Sequence, residues 1–248
     1  MGEHALTGAG PAMAAGPTHD LDSGAGHDDA LYYRHAGRSR LVQAVSLRTR
    51  RAVVRRFGEL LQPGPETTIL DVGVSLETAR AEANVLEQIH PHRGRITCAG
   101  IGPGHAVTAG YPGVAYVPIS PHAPLPFPDG HFDIAYSNAV IEHVGSREAQ
   151  ARFVAELCRV GRRIFLATPN RWFPIEHHTG LPLLHFLPLG VFRALLRRTR
   201  LAHWSRAENL NPLTGAELQR LFPRPDAVRV EFAGTGLGLF RSNLIAWA

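Results

Sequence analysis

From Thr67 to Ala167 short β-rich runs alternate with helical and loop segments, and that rhythm restricts this chain more than any other feature. The runs are Thr67–Val72 (TTILDV), Arg95–Ile101, Val114–Ile119, Phe132–Ser137 (FDIAYS) and Arg163–Ala167 (RIFLA). Between the first two, Ala79, Ala83, Leu86 and Ile89 recur at helical spacing and predict a helix over Leu76–Ile89. Ser146 is placed to cap a helix reaching about Arg159, with Phe153, Val154 and Leu157 inward. Strands that alternate with helices pair in parallel, because each crossover returns the chain to the same sheet edge. Helices then cover both faces. The expected class is α/β.

The flanks read differently. Residues 1–28 are Gly, Ala, Pro, His and Asp with almost no large apolar side chains. Such a segment buries too little surface to offset its ordering entropy, so a disordered tail is expected there. A domain over 29–248 follows. It opens with a helical pattern over Tyr32–Leu61, ended by Pro63-Gly64-Pro65. Arginines between its apolar positions read as a solvated face. Residues 169–212, rich in Pro, His, Trp and Phe with a basic helix near Val191–Thr199, break the alternation and read as a lid-like insertion. Thr214 and Glu217 form a capping-box pattern. Val228–Phe232 and Leu239–Trp247 read as closing strands.

Composition excludes several classes. No apolar run reaches the roughly 18 residues of a membrane-spanning helix, and the N-terminus lacks a signal-peptide pattern. Cys98 and Cys158 lie far apart without a CxxC pair, which suits a reducing, cytoplasmic setting. The net charge is +5 and every basic residue is arginine. No aromatic stacking platform accompanies the charge, so nucleic acid is not an expected partner. Oligomeric state is not readable.

In an open parallel sheet, ligands bind beyond the carboxyl ends of the strands. The residues there are Asp71, Gly73, Val74 and Ser75, then Gly100 to Gly104, then Ser120-Pro121-His122, then Ser137-Asn138, then Thr168 to Arg171. The stretch LPFPDGHFDIAYSNAVIEHV (Leu125–Val144), with ILDVG at Ile69–Gly73 and LATPNR at Leu166–Arg171, resembles class I S-adenosylmethionine-dependent methyltransferases of the type 11 kind. The resemblance spans about Tyr32–Ala248 and is weakest in the insertion. It implies a Rossmann-like, seven-stranded, mostly parallel sheet with helices on both faces and an antiparallel last strand. It also implies S-adenosyl-L-methionine as cofactor and in-line methyl transfer to a small organic acceptor.

The resemblance suggests cofactor contacts at Asp71, Gly73, Val74, Ser75, Gly100, Gly102, Ser120, Ser137 and Asn138. The pattern departs from the family at three places. Val74, Ser75 and Glu77 follow Gly73 where further glycines are usual. Gly102 stands where an acidic residue usually holds the ribose, and Ser120-Pro121-His122 where an Asp usually meets adenine. Ser75 offers a hydroxyl and a backbone N–H as a substitute. His143 is the candidate general base, since its ordinary pKa suits proton transfer. Asn170, Arg171, Trp172, Glu176, His177 and His178 are candidate acceptor contacts. The alternative is a methyltransferase-fold protein that is inactive or repurposed, with a binding or non-methylating role. No metal is expected: His177 and His178 are adjacent, and His90 and His92 flank Pro91, so neither pair has the i, i+4 spacing of a helical metal site. The strand–Gly73-Val74-Ser75–helix pattern resembles a hydrolase elbow, but Glu77 stands where its last glycine belongs.

Overall fold

The structure is a computed structural model and describes residues 40–248. The expected tail and the beginning of the first helix lie outside the described residues. In chain order the elements are α1 (Arg40–Leu61), β1 (Ile69–Val72), α2 (Val85–Ile89), β2 (Ile96–Gly100), α3 (His105–Gly110), β3 (Ala115–Pro118), β4 (Phe132–Asn138), α4 (Arg147–Val160), β5 (Gly161–Pro169), α5 (Leu189–Leu196), α6 (Gly215–Arg220), β6 (Arg229–Leu237) and β7 (Phe240–Trp247). The seven strands form one sheet in the order β3-β2-β1-β4-β5-β7-β6. Pairing is parallel from β3 through β5. It is antiparallel between β5 and β7 and between β7 and β6.

Strand alternation sorts the core into two layers. Ile69, Ile96, Cys98, Ile134, Tyr136 and Phe165 face α1 and α2, where Val53, Val54, Phe57 and Leu86 meet them. Leu70, Val72, Ala135, Ile164, Leu166 and Leu244 face α4 and α6, against Val154, Leu157 and Leu218. Phe57 stands edge-on to Tyr136 and Phe165, both 5.2 Å away. The insertion carries a small core of its own, Phe192, Leu196, Trp204 and Leu210. Ser146 caps α4 by accepting from the Ala149 N–H, and the Thr214–Glu217 capping box opens α6. Among the described residues no helix is long and apolar enough to cross a membrane.

The predicted helix over Leu76–Ile89 is mostly absent: only Val85–Ile89 is helical. Asn84 adopts a left-handed conformation, φ 48°, which helix propagation forbids. Its amide clamps the loop instead. The Ser75 N–H donates to Asn84 Oδ1 at 2.9 Å, and Asn84 Nδ2 donates to the Ser75 carbonyl at 2.7 Å. Gln88 Nε2 donates to the carbonyls of Ala81 and Ala83. Side-chain amides thus take over the role of helical hydrogen bonds. Smaller boundary differences occur at β5 and β6, which run on to Pro169 and Leu237.

Asp71 lies on the α1 side of β1, buried with Glu87 and Cys98. The Cys98 thiol donates to Glu87 Oε1 at 3.5 Å. Burial pushes the Asp71 carboxyl well above the usual range, and the neighbouring Glu87 charge adds to it. Glu87 is raised as well, by burial. The pair therefore keeps its protons to higher pH in the folded chain than in the unfolded one. Carboxyls raised on folding stabilise fully below the ordinary carboxylate range of about 4, and that stabilisation is lost as pH rises through the folded values.

Two outcomes follow from this packing. Glu87→Gln removes one of the two raised carboxyls, so its thermal midpoint should gain on wild type at about pH 8 relative to about pH 5; an equal difference at both values would contradict the upward shift of the pair. Gly73 has φ +94°, and a Cβ there would lie 2.3 Å from Val140 Cγ2. Gly73→Ala should cost about 1–3 kcal/mol in urea denaturation, and Val140→Ala in the same chain should recover part of it through non-additivity.

Candidate active site

Because β1 and β4 are neighbours while their following connections leave toward opposite faces, a crevice opens at their carboxyl ends. A cavity of about 1250 Å³ occupies it. Gly73, Val74, Gly100 and Ile101 form one wall, Ser120 to His122 another, and Asn138 to Val140 border it on the β4 side. The Gly73 N–H is held by the Ala99 carbonyl at 2.8 Å. Val74 is buried against the core yet leaves the hollow open, since the cavity extends past it.

Of the anticipated cofactor positions, Gly73, Val74, Gly100, Ser120 and Asn138 line this cavity. Asp71, Ser75, Gly102 and Ser137 do not line it. Asp71 is buried beneath the cavity beside Glu87. Ser75 does not open a helix, and its N–H is engaged by Asn84. The Ser137 hydroxyl is buried on the Val72 carbonyl at 2.9 Å. Gly102 accepts from the Tyr116 hydroxyl at 3.0 Å through its carbonyl.

Two charged residues that sequence reasoning missed, Arg50 and Glu77, line the same cavity. Arg50 was placed on a solvated helix face, but it lines the cavity. Helical spacing carried the signal, since Arg50 lies three and four residues before buried Val53 and Val54. Glu77 also borders the cavity. It projects from the irregular loop beside Leu76, whose Cδ1 lies 3.4 Å from where a Gly102 side chain would start.

The far end is built where the insertion docks on the β4–α4 connection. Asn211 donates through its backbone N–H to the Glu142 carbonyl at 2.7 Å and through Nδ2 to Gly145 at 2.7 Å. Arg147 donates to the carbonyls of Asn211 and Pro212 and to Glu217. This docking brings His143 and His178 together: their Nε2 atoms are 3.1 Å apart, across 35 positions of sequence. His143 Nδ1 lies 2.6 Å from the Asn209 carbonyl, and His178 Nδ1 lies 2.9 Å from Glu176 Oε1. Trp204, 1% exposed, packs its ring 5.1 Å from His178 and 6.1 Å from His143.

Burial alone would raise Glu176, but the charge and hydrogen bonds of His178, with the Thr179 N–H, hold the carboxyl well below the usual range. Burial pulls His178 down, and Glu176 outweighs it, leaving the imidazole above its ordinary value. His177 stays with burial and is lowered to about 4. Glu142 is buried between β4 and β5, its Oε2 accepting from the Thr168 hydroxyl at 2.9 Å.

Glu176, His177 and His178 line the cavity with His143. Asn170, Arg171 and Trp172 do not. Asn170 Nδ2 donates to the Arg241 carbonyl, Arg171 donates to Leu187, and Trp172 packs edge-on to Phe186. Asn170 thus ties the start of the insertion to β7, while Arg171 and Trp172 hold contacts within the insertion itself. Glu142 and Trp204 were not foreseen; nothing in the local sequence marks either as cavity-facing.

A family model described as a methyltransferase domain matches residues 98–163. No curated protein matches the chain in sequence. Among solved structures, a magnesium protoporphyrin IX methyltransferase from Synechocystis, with bound SAH, superposes with TM-score 0.55 at 13% identity, covering 91% of this chain and 94% of that one. A SAM-dependent methyltransferase from Aquifex aeolicus gives TM-score 0.52 at 16% identity, covering 89% and 97%. Residues 98–163 thus match the methyltransferase-domain model, and the chain around them has the fold seen in these S-adenosylmethionine-dependent methyltransferases.

Proposed function

We propose that the chain transfers a methyl group from S-adenosyl-L-methionine to a small organic acceptor by in-line displacement. The observation that carries this reading is the single cavity of about 1250 Å³, which joins the carboxyl ends of β1, β2 and β4 to the His143–His178 cluster. Single small-molecule sites run at about 300–1000 Å³, so this hollow has room for two ligands side by side.

The residues present fit the cofactor. Gly73, Val74, Gly100 and Ile101 supply a close backbone wall, with Ser120, His122 and Asn138 opposite. Glu77 compensates for the acid missing at Gly102 by offering a carboxylate to ribose hydroxyls from the neighbouring loop. Arg50 supplies a cation for the amino-acid carboxylate. When bound, the cofactor supplies an electrophilic methyl on sulfonium, so the protein's work is mainly alignment and exclusion of water. Leu41, Val42, Val45, Phe173 and Ile175 line the acceptor side and favour a partly apolar acceptor. His143, the expected base, stands at that end with its ring fixed by Asn209, and the acceptor's proton leaves there.

The loss of the Ser75 and Gly102 contacts favours a second reading, a fold that no longer methylates. Calorimetry on the full chain with S-adenosylmethionine and S-adenosylhomocysteine separates the two. One-to-one binding is expected, weakened about tenfold by Glu77→Ala and by Arg50→Ala, equivalent to about 1.4 kcal/mol each. Absence of heat and of a thermal shift at millimolar ligand would end the methyltransferase reading.

A further inference from the structure

The insertion turns large apolar side chains outward as well as inward. Phe192, Leu196, Trp204 and Leu210 fill its own core, yet Trp172, Ile175, Leu183, Leu187, Val191 and Leu195 stay between 38% and 56% exposed. Single exposed apolar side chains are ordinary, but this set is gathered on one short, tied segment. Val191 and Leu195 stand one turn apart on α5, and Leu187 comes just before the Pro188 that opens it. Arg171 donates to the Leu187 carbonyl while its guanidinium lies 5.1 Å over the Trp172 ring. Trp172 packs edge-on to Phe186, and the Leu183 N–H donates to the Pro174 carbonyl at 2.8 Å.

The same segment carries charge of one sign. No Asp or Glu lies between Glu176 and Glu208, whereas Arg193, Arg197, Arg198, Arg200 and Arg206 all do. Arg197, Arg198 and Arg200 are exposed and follow directly on the last turn of α5. Exposed Val191 and Leu195 thus stand on a short helix whose end is strongly basic. That is the composition of an element that lies in an interface: apolar groups enter a hydrocarbon boundary and guanidinium groups reach back to its polar layer.

Charge decides among the surfaces that could cover this face. A second copy packed about a two-fold axis would set the arginine cluster near its own image, with no acid of the segment to answer it. Nucleic acid would answer the arginines and leave the apolar side chains in water. A bilayer with anionic headgroups satisfies both halves, since its phosphates accept the forked guanidinium donors while the hydrocarbon beneath takes the apolar groups.

We infer that the outer face of the insertion docks on a membrane surface rich in anionic phospholipid. Leu183, Leu187, Val191 and Leu195 enter the edge of the acyl layer, Arg197, Arg198 and Arg200 hold lipid phosphates, and Trp172 takes the intermediate depth at which indole rings rest. Ile175 belongs both to the exposed set and to the cavity lining, so the docked face borders the apolar acceptor side of the hollow. A lipid-soluble acceptor then passes from the bilayer into the cavity past Ile175. That passage rests on the methyl-transfer reading; the docking surface does not.

The test is cosedimentation of the full chain, without cofactor, with phosphatidylcholine vesicles holding about one-third phosphatidylserine, against pure phosphatidylcholine. The chain should bind the anionic vesicles, and binding should fall as salt rises. Joint reversal of Arg197, Arg198 and Arg200 to Glu should weaken it at least about 30-fold, and Val191→Glu with Leu195→Glu at least about tenfold. Ile89→Glu, at an exposed apolar position on α2, should bind as wild type. Lipids brominated in the acyl chains should quench tryptophan emission, and Trp172→Phe should lose that quenching. Should the charged variants fail to fold, wild-type binding and the quenching still decide. Absence of wild-type binding to anionic vesicles, or undiminished binding by both folded variants, overturns the proposal. So does a dimer or an oligonucleotide complex that the arginine changes abolish in a chain that ignores vesicles. Vesicle binding without S-adenosylmethionine binding upholds the docking surface while the methyl-transfer reading falls. Cofactor binding in a chain that ignores vesicles does the reverse.

Discussion

The adjacency of β1 and β4 governs the rest of the molecule. Both strands run in parallel, yet β2 continues the sheet on one side and β5 on the other. The chain leaving β1 and the chain leaving β4 must therefore part. The gap between them is lined by main chain at Gly73 and by Asn138 to Val140. Gly73, at φ +94° and packed against Val140, lets those two connections approach without closing the hollow.

A second constraint is polar. The insertion joins the sheet through buried hydrogen bonds centred on Asn211, Gln150 and Arg147 as well as through apolar area. Buried polar groups need partners, so such a network fixes position more narrowly than apolar contact does. That precision sets His178 against His143. The carbonyl of Asn209 comes from the insertion, and so does the Glu176 that braces His178. The far end of the cavity thus exists only when insertion and sheet are docked.

Much of the architecture was legible in the residues. The β-rich runs fell on β1 to β5, Ser146 and Thr214 capped the helices they preceded, and the closing strands lie antiparallel at the sheet edge. The failure over residues 76–84 is instructive. Ala79, Ala83 and Leu86 keep helical spacing, but Asn84 and Gln88 offer amides that satisfy the loop's backbone in other ways. Periodicity registers which side chains are apolar; it does not register that competition. Arg50 failed for a related reason. The arginines of α1 look alike along the chain, and only the helical angle relative to Val53, Val54 and Phe57 separates the one that turns inward.

Local order along the chain fixed the strands, the caps and the class of the fold, because period, capping and turn chemistry act over a few residues. The strand-end rule also singled out Gly73, Gly100, Ser120 and Asn138, which line the cavity. The company each side chain keeps was settled by long-range packing. Asp71 and Gly73 are two residues apart, yet Asp71 is buried beside Glu87 while Gly73 lines the cavity. His143 and His177 both looked available, but the insertion's fold aims His178 at His143 and sets His177 against Phe173, ring centroids 5.3 Å apart. Contacts of that kind depend on how distant segments share space, and no short stretch of sequence carries that information.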